Sequence, residues 1–227
     1  MLVWVILLTV SAYLLGSVPT SYIAGRLLKG VDIRDYGSGT VSGSNVFHSV
    51  ARWAVVPVGI FDVSKGMAPV AVAALVLHSP MWAQGVVGLA AIAGHNWSIF
   101  LRFSGGRGLS TMIGALAIVA PWELAIFVVV WVLILAILKN SPLGALAAAV
   151  TLPLSSVGLR EPWQLTVCLV GVLLLLLAKR LLAERSAPCG GWRRVAINRL
   201  LLDRDVADRA AWVRRPSMRT QDPPKDE

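Results

Sequence analysis

Long apolar stretches recur along nearly the whole chain, and they leave few folds open to it. A helix crosses the hydrocarbon core of a bilayer with roughly 20 mainly apolar residues. About seven passages approach that length, near residues 2–27, 51–77, 82–101, 108–121, 122–138, 142–158 and 162–183. Only 15% of the 227 residues are charged and 56% are hydrophobic, whereas a soluble domain carries about 25% charged residues. The expectation is an all-α, polytopic integral membrane helix bundle of about seven transmembrane helices. Six is the alternative, because the fourth passage is short and Pro121 divides it from the fifth with almost no loop.

Basic residues near helix ends are retained in the cytoplasm. Arg26, Lys29, Arg34 and Arg52 flank the first connection, Arg102 and Arg107 the third, Lys139 the fifth, and Lys179, Arg180 and Arg185 follow the last passage. The alternate connections hold only Arg160. This pattern places the N-terminus outside and the C-terminus in the cytoplasm. The first stretch lacks a basic region before Leu2 and a small-residue cleavage site after it, so it reads as a retained helix rather than a signal peptide.

The net charge of +9 is spread between apolar runs and in the tail, which argues against nucleic acid and for anionic lipid headgroups and phosphorylated substrates. Cys168 and Cys189 have neither metal-ligand spacing nor the density of a disulfide scaffold. The three histidines and scattered acids show no ligand spacing either, so neither metal nor cofactor is expected. Residues 1–186 form the transmembrane unit, 187–213 a basic amphipathic cytoplasmic segment, and 214–227 a polar tail of disordered composition. Within the amphipathic segment Val195, Ile197, Leu200, Leu201 and Val206 share the apolar side.

Chemistry is expected where polar residues gather. The first connection holds Gly37, Ser38, Gly39, Thr40, Ser42, Ser44, Asn45 and His48, a set of turn-forming glycines and small donors suited to phosphate oxygens. The third holds Gly105, Gly106, Arg107 and Gly108, then Ser110 and Thr111. A glycine-rich turn opening a helix directs amides and the positive dipole end at an anion, and the Arg107 guanidinium can fork two phosphate oxygens. The spacing is not that of a Walker loop. His95 ends the third passage with a side chain suited to proton transfer or phosphate contact. Asp62 and Lys65 lie inside the second passage at a spacing that shares one helix face. Buried charges of this kind mark a functional site by default, and this pair reads equally well as a structural ion pair.

Across residues 10–205 the chain resembles the bacterial acyl-phosphate:glycerol-3-phosphate acyltransferases of the PlsY type. The resemblance rests on Gly16, Ser17, Val18 and Pro19; on Asp32, Ile33 and Arg34 before Gly37, Ser38 and Gly39; on Phe61, Asp62, Lys65, Gly66 and Pro69; and on Gly94 and His95 before the block from Gly105 to Thr111. It implies transfer of a fatty acyl group from acyl-phosphate to glycerol 3-phosphate, giving lysophosphatidic acid and phosphate as the first step of phospholipid biosynthesis. It implies the plasma (inner) membrane of a bacterium, membrane lipid around a site that faces the cytoplasm, and no coenzyme A. A monomer is compatible with this.

The resemblance places Ser38, His95 and Arg107 in catalytic roles. Gly37, Gly39, Thr40, Ser44, Asn45, His48, Gly105, Gly106, Gly108, Ser110, Thr111 and Arg199 fall in the phosphate-binding motifs. Departures are present: Thr40, Ser42, Ser44 and His48 stand where the family has Asn, Gly, Thr and Arg, and Arg107 stands for Lys. Near the C-terminus, Arg193, Ala196, Asp203 and Asp205 replace His, Asn, Gly and Glu. Two rival readings stay open at this point: a paralogue that binds acyl-phosphate or a lipid phosphate without turnover, and a small transporter with Asp62 and Lys65 as coupling groups.

Overall fold

The computed structural model describes residues 1–36, 39–182 and 192–205. Gly37, Ser38, Cys189, Val206 and the expected tail of residues 214–227 lie outside the described residues. Among the described residues every regular element is helical. In a bilayer this follows from backbone chemistry, because N–H and C=O groups that water cannot reach are satisfied within a helix.

The elements run α1 (Leu2–Ser17), α2 (Thr20–Lys29), α3 (Gly43–Ser49), α4 (Val55–Ala71), α5 (Met81–Asn96), α6 (Leu109–Val119), α7 (Pro121–Leu138), α8 (Ser141–Gly158), α9 (Trp163–Leu181) and α10 (Trp192–Leu202). A π-helical turn, Val72–Val76, continues α4. Each expected passage contains a helix. Five spans are long and apolar enough to cross a membrane: Leu2–Lys29, Val55–Val76, Pro121–Leu138, Ser141–Gly158 and Trp163–Leu181. Helix α5 has 16 residues and α6 has 11, both short of a full crossing. Ala120 separates α6 from α7, and Pro121 opens α7, where its missing N–H would have had no helical partner in any case.

Helices pack chiefly as the pairs α1 with α5, α4 with α6, and α7 with α8. Glycines set the first two contacts. A Cβ on Gly16 would collide with the Ala91 backbone, and one on Gly94 with the Tyr13 carbonyl. Likewise a Cβ on Gly66 would meet the Thr111 carbonyl, and one on Gly114 the Val63 carbonyl. Close approach at small residues is the main means of helix association in lipid, where apolar burial adds little. One core cluster joins Ile92, Met112, Leu116, Phe127, Leu152 and Leu169; a second joins Ala12, Val70, Val87, Ala91 and Ala115. Leu7, Val10, Ile60, Val129, Leu133, Val167 and Leu174 point outward, as lipid-facing side chains do.

Helix α10 packs on α8 and α9 through a face that combines an apolar and a basic side chain. Val195 and Arg199 are its buried residues, whereas Ile197 and Leu201 are exposed. The reason is polar: Arg199 donates to the Leu181 carbonyl and pairs with Asp205, so the helix turns its guanidinium inward.

Candidate active site

Pro19 interrupts the first passage. Lacking an N–H and restricting the residue before it, it ends α1 at Ser17, and a new helix starts at Thr20. Carbonyls freed in the membrane need donors. Ser98 Oγ donates to the Ser17 carbonyl, and Lys65 Nζ donates to the Val18 carbonyl at 3.0 Å. Lys65 also pairs with Asp62 at 2.8 Å, and Thr20 Oγ1 donates to the same Asp62 oxygen at 2.6 Å. Asp62 and Lys65 are each 2% exposed, so removing either would leave the other as an uncompensated buried charge. His95 Nδ1 lies 3.7 Å from Asp62 Oδ1.

The first connection folds around Asn45. Its Nδ2 donates to the carbonyls of Ile33, Tyr36 and Thr40, each at 3.0 Å, and its Oδ1 accepts from Ser49 Oγ at 2.9 Å. Expected to meet a substrate phosphate, this buried amide instead shapes the loop, since chain carbonyls in a tight turn satisfy it first. The hydroxyls of Thr40, Ser42 and Ser44 form a chain, with spacings of 2.8 and 3.2 Å. His48 is exposed at the end of α3, edge-on to Phe47. Asp32 closes the loop's entrance by accepting from Arg34 Nε and Nη2 at 2.9 and 2.7 Å, and these bonds raise the Arg34 pKa above its ordinary value.

The second turn, residues 105–108, lies against the first. A Cβ on Gly106 would meet both His95 Nε2 and the Val41 carbonyl, and the Gly106 N–H donates to the His95 carbonyl at 3.0 Å. Gly108 has φ +78° with the Asn96 side chain close behind it, so no larger residue fits, and α6 begins at the next position. Asn96 is fully buried beneath the turn, and neither its Oδ1 nor its Nδ2 has a hydrogen-bond partner. Thr111 Oγ1 is likewise buried and unpartnered, while Ser110 is half-buried.

The turn separates two cavities of different chemistry. On one side a polar cleft is lined by Ser17, Thr20, Lys65, His95, Gly105 and Gly106, among others. On the other an apolar groove runs between α6, α8 and α9, walled by Leu109, Ala149, Leu173 and Leu176, with Arg107, Arg180 and Asp203 as its charged residues. The Arg107 guanidinium is engaged from the C-terminal side. Its Nε is 3.1 Å from Asp203 Oδ2, and Nη1 donates to the Lys179 carbonyl at 3.2 Å. Lys179 is buried, with its ammonium 5.6 Å from the Trp97 ring. Arg199, expected at the phosphate, instead ties α10 to α9.

The family model described as glycerol-3-phosphate acyltransferase matches residues 6–185. The chain belongs to this family. It is 34% identical to glycerol-3-phosphate acyltransferase 5 of Dehalococcoides mccartyi over 96% of this chain and 97% of that one. Glycerol-3-phosphate acyltransferase 4 of the same species is 36% identical, over 90% and 91%. Among solved structures, PlsY, an integral membrane glycerol 3-phosphate acyltransferase crystallised in its glycerol 3-phosphate form, superposes with a TM-score of 0.72 at 28% identity, covering 82% of this chain and 96% of that chain. The lysophosphatidic acid form gives 0.72 at 27%. The protein is thus a multi-pass bacterial membrane protein of the acyltransferase family.

The fold unites His95, the turn at residues 105–108 and the Asp62–Lys65 pair, and brings the first connection against them through Val41. Thr20, Asn96, Ser98 and Lys179 join them without having stood out in the sequence, and Asp203, noted only as a departure from the family motif, joins them too. Thr20 carried a signal in its place right after Pro19, where a hydroxyl is free to reach the next helix. Lys179 looked like an ordinary flanking charge.

Proposed function

We propose that the protein transfers a fatty acyl group from acyl-phosphate to the 1-hydroxyl of glycerol 3-phosphate, releasing phosphate, at the cytoplasmic surface of the bacterial inner membrane. The observation that carries this reading is the turn at residues 105–108, which separates a polar cleft from an apolar groove. A phosphorylated triol suits the cleft, and an acyl chain entering from the bilayer suits the groove. Their reacting ends meet at the turn, where Gly105 and Gly108 supply amides and α6 its positive end.

An acyl-phosphate is already activated, so positioning and charge stabilisation account for most of the catalysis. The hydroxyl oxygen bonds to the acyl carbon, the bond from that carbon to the phosphate oxygen breaks, and phosphate departs with the electron pair. The hydroxyl proton passes to His95 Nε2 or to a substrate phosphate oxygen. Arg107 neutralises the departing phosphate, Ser38 donates to a phosphate oxygen, and the Thr40 and Ser44 hydroxyls line the entrance. Asp62, Lys65 and Thr20 hold the broken helix against His95, and Asn45 holds the first loop in shape. The basic flanks support a cytoplasmic site.

The test is phosphate release from palmitoyl-phosphate by the purified protein in detergent, with and without glycerol 3-phosphate, beside an Arg107→Ala control. The expected result is release that depends on the acceptor and falls in the variant. Folded protein that releases no more phosphate than the variant would overturn the reading and leave a phosphate-binding paralogue.

A further inference from the structure

Arg107 has an internal occupant. A guanidinium presents planar donors that match two oxygens of a carboxylate or a phosphate. Here the Asp203 carboxylate pairs with the guanidinium by charge, 3.1 Å from Nε but without a hydrogen bond from it, while the remaining nitrogens reach the carbonyls of Lys179 and Asp203 at 3.2 and 3.5 Å. A phosphate arriving at this guanidinium meets a carboxylate already there.

Two features of Asp203 set it apart from an ordinary surface ion pair. Its backbone has φ +57°, the left-handed region that favours glycine and that aspartate adopts at some cost. The carboxylate is also incompletely satisfied, since Oδ1 is buried without a hydrogen-bond partner. Meanwhile the segment that carries it is docked by other groups. Arg180 donates to the carbonyls of Leu200 and Pro142, and Arg199 pairs with Asp205 and donates to the Leu181 carbonyl. The Asp203 side chain can therefore swing off Arg107 while α10 keeps its place.

We infer that Asp203 is a built-in competitor for the phosphate seat: its carboxylate occupies Arg107 in the empty protein, and a phosphate group must displace it at the mouth of the apolar groove. The inference rests on the reading of Arg107 as a phosphate-binding residue. The ligand chemistry is a phosphate monoanion or dianion, and its source is either the acyl-phosphate headgroup or glycerol 3-phosphate. A site open for only part of the time binds more weakly in proportion to that part, so Asp203 raises the apparent KM of whichever phosphate uses Arg107.

The experiment compares the full-length protein with Asp203→Asn, which keeps the shape and tolerates the backbone angle, Asp203→Gly, which relieves the backbone, and Asp203→Glu, which keeps the charge. KM is measured separately for palmitoyl-phosphate and glycerol 3-phosphate, together with inhibition by inorganic phosphate and the thermal midpoint in detergent. The expected result is that Asn and Gly lower one of the two KM values about fivefold without loss of kcat, that inorganic phosphate inhibits at correspondingly lower concentration, and that Glu stays near the parent. The substrate whose KM falls is the one whose phosphate takes Arg107. If folded Asn and Gly variants leave both KM values unchanged or raise them, Asp203 is a structural tether and the inference fails, while acyl transfer by the parent still upholds the reading beneath it. If the parent transfers no acyl group, that reading fails on its own. The latch is then judged by whether inorganic phosphate raises the thermal midpoint more in Asp203→Asn than in the parent; an equal rise overturns it.

Discussion

Two polar regions meet at the site, and they are built in opposite ways. Around the break between α1 and α2, the freed carbonyls of Ser17 and Val18 and the Asp62 carboxylate are matched by Ser98, Lys65 and Thr20. Around Arg107, the counter-charge comes from Asp203, a residue 96 positions away in the chain, and the carboxylate keeps one buried oxygen unpartnered. The first region pairs its charges within the protein, and although the Ser17 and Ser21 hydroxyls stay buried without a partner, this paired core suits a scaffold that walls the cleft. The second is half-satisfied and suits a place where a ligand exchanges with part of the protein.

The largest effect is expected where the paired core is broken. Asp62→Ala leaves Lys65 buried without its counter-charge and should cost about 3–5 kcal/mol, seen as loss of folded protein in detergent or a sharp fall in thermal midpoint. A midpoint close to the parent would mean that the pair is no scaffold. Thr20→Val removes one charge-assisted hydrogen bond and should lower stability by about 1.5–3 kcal/mol, with activity following stability; a change in KM alone would move Thr20 from scaffold to substrate contact. Arg107→Ala should act the other way round, raising KM for a phosphorylated substrate about tenfold or more with little change in thermal midpoint, and an unchanged KM would remove Arg107 from the site. The smallest effect belongs to the exposed rim: His48→Arg adds a permanent cation and should lower KM for glycerol 3-phosphate about threefold, whereas no change would put this position out of the substrate's reach.

The legibility of each region follows from the same contrast. Asp62 and Lys65 could be paired from spacing alone, because on a helix three residues bring side chains to one face. The turn at residues 105–108 was visible because glycine, arginine and a helix start are local signals. The break at Pro19 lay inside what read as one apolar passage, since hydropathy counts side chains and does not register a missing N–H. The part Asn45 plays in shaping the loop was hidden for a related reason. Composition identifies a donor, but only the folded loop shows that the Ile33, Tyr36 and Thr40 carbonyls already surround it. On α10 apolar periodicity finds Val195, but only the packed helix shows the Arg199 guanidinium buried beside it on the carbonyl of Leu181.

Taken alone, the sequence determined what depends on neighbours along the chain: the apolar helices, the charged flanks between them, the glycine turn and the motifs shared with the acyltransferase family. Hydrogen-bond requirements in lipid and helical periodicity act over a few residues, so they can be read directly. The tertiary structure alone decided which carbonyls Ser98 and Lys65 cap, that the turn divides a polar cleft from an apolar groove, and that Asp203 sits on Arg107. Those contacts join residues separated by tens of positions, and they arise from the close approach that glycines such as Gly66 and Gly114 permit between helices, a distance that no local pattern encodes.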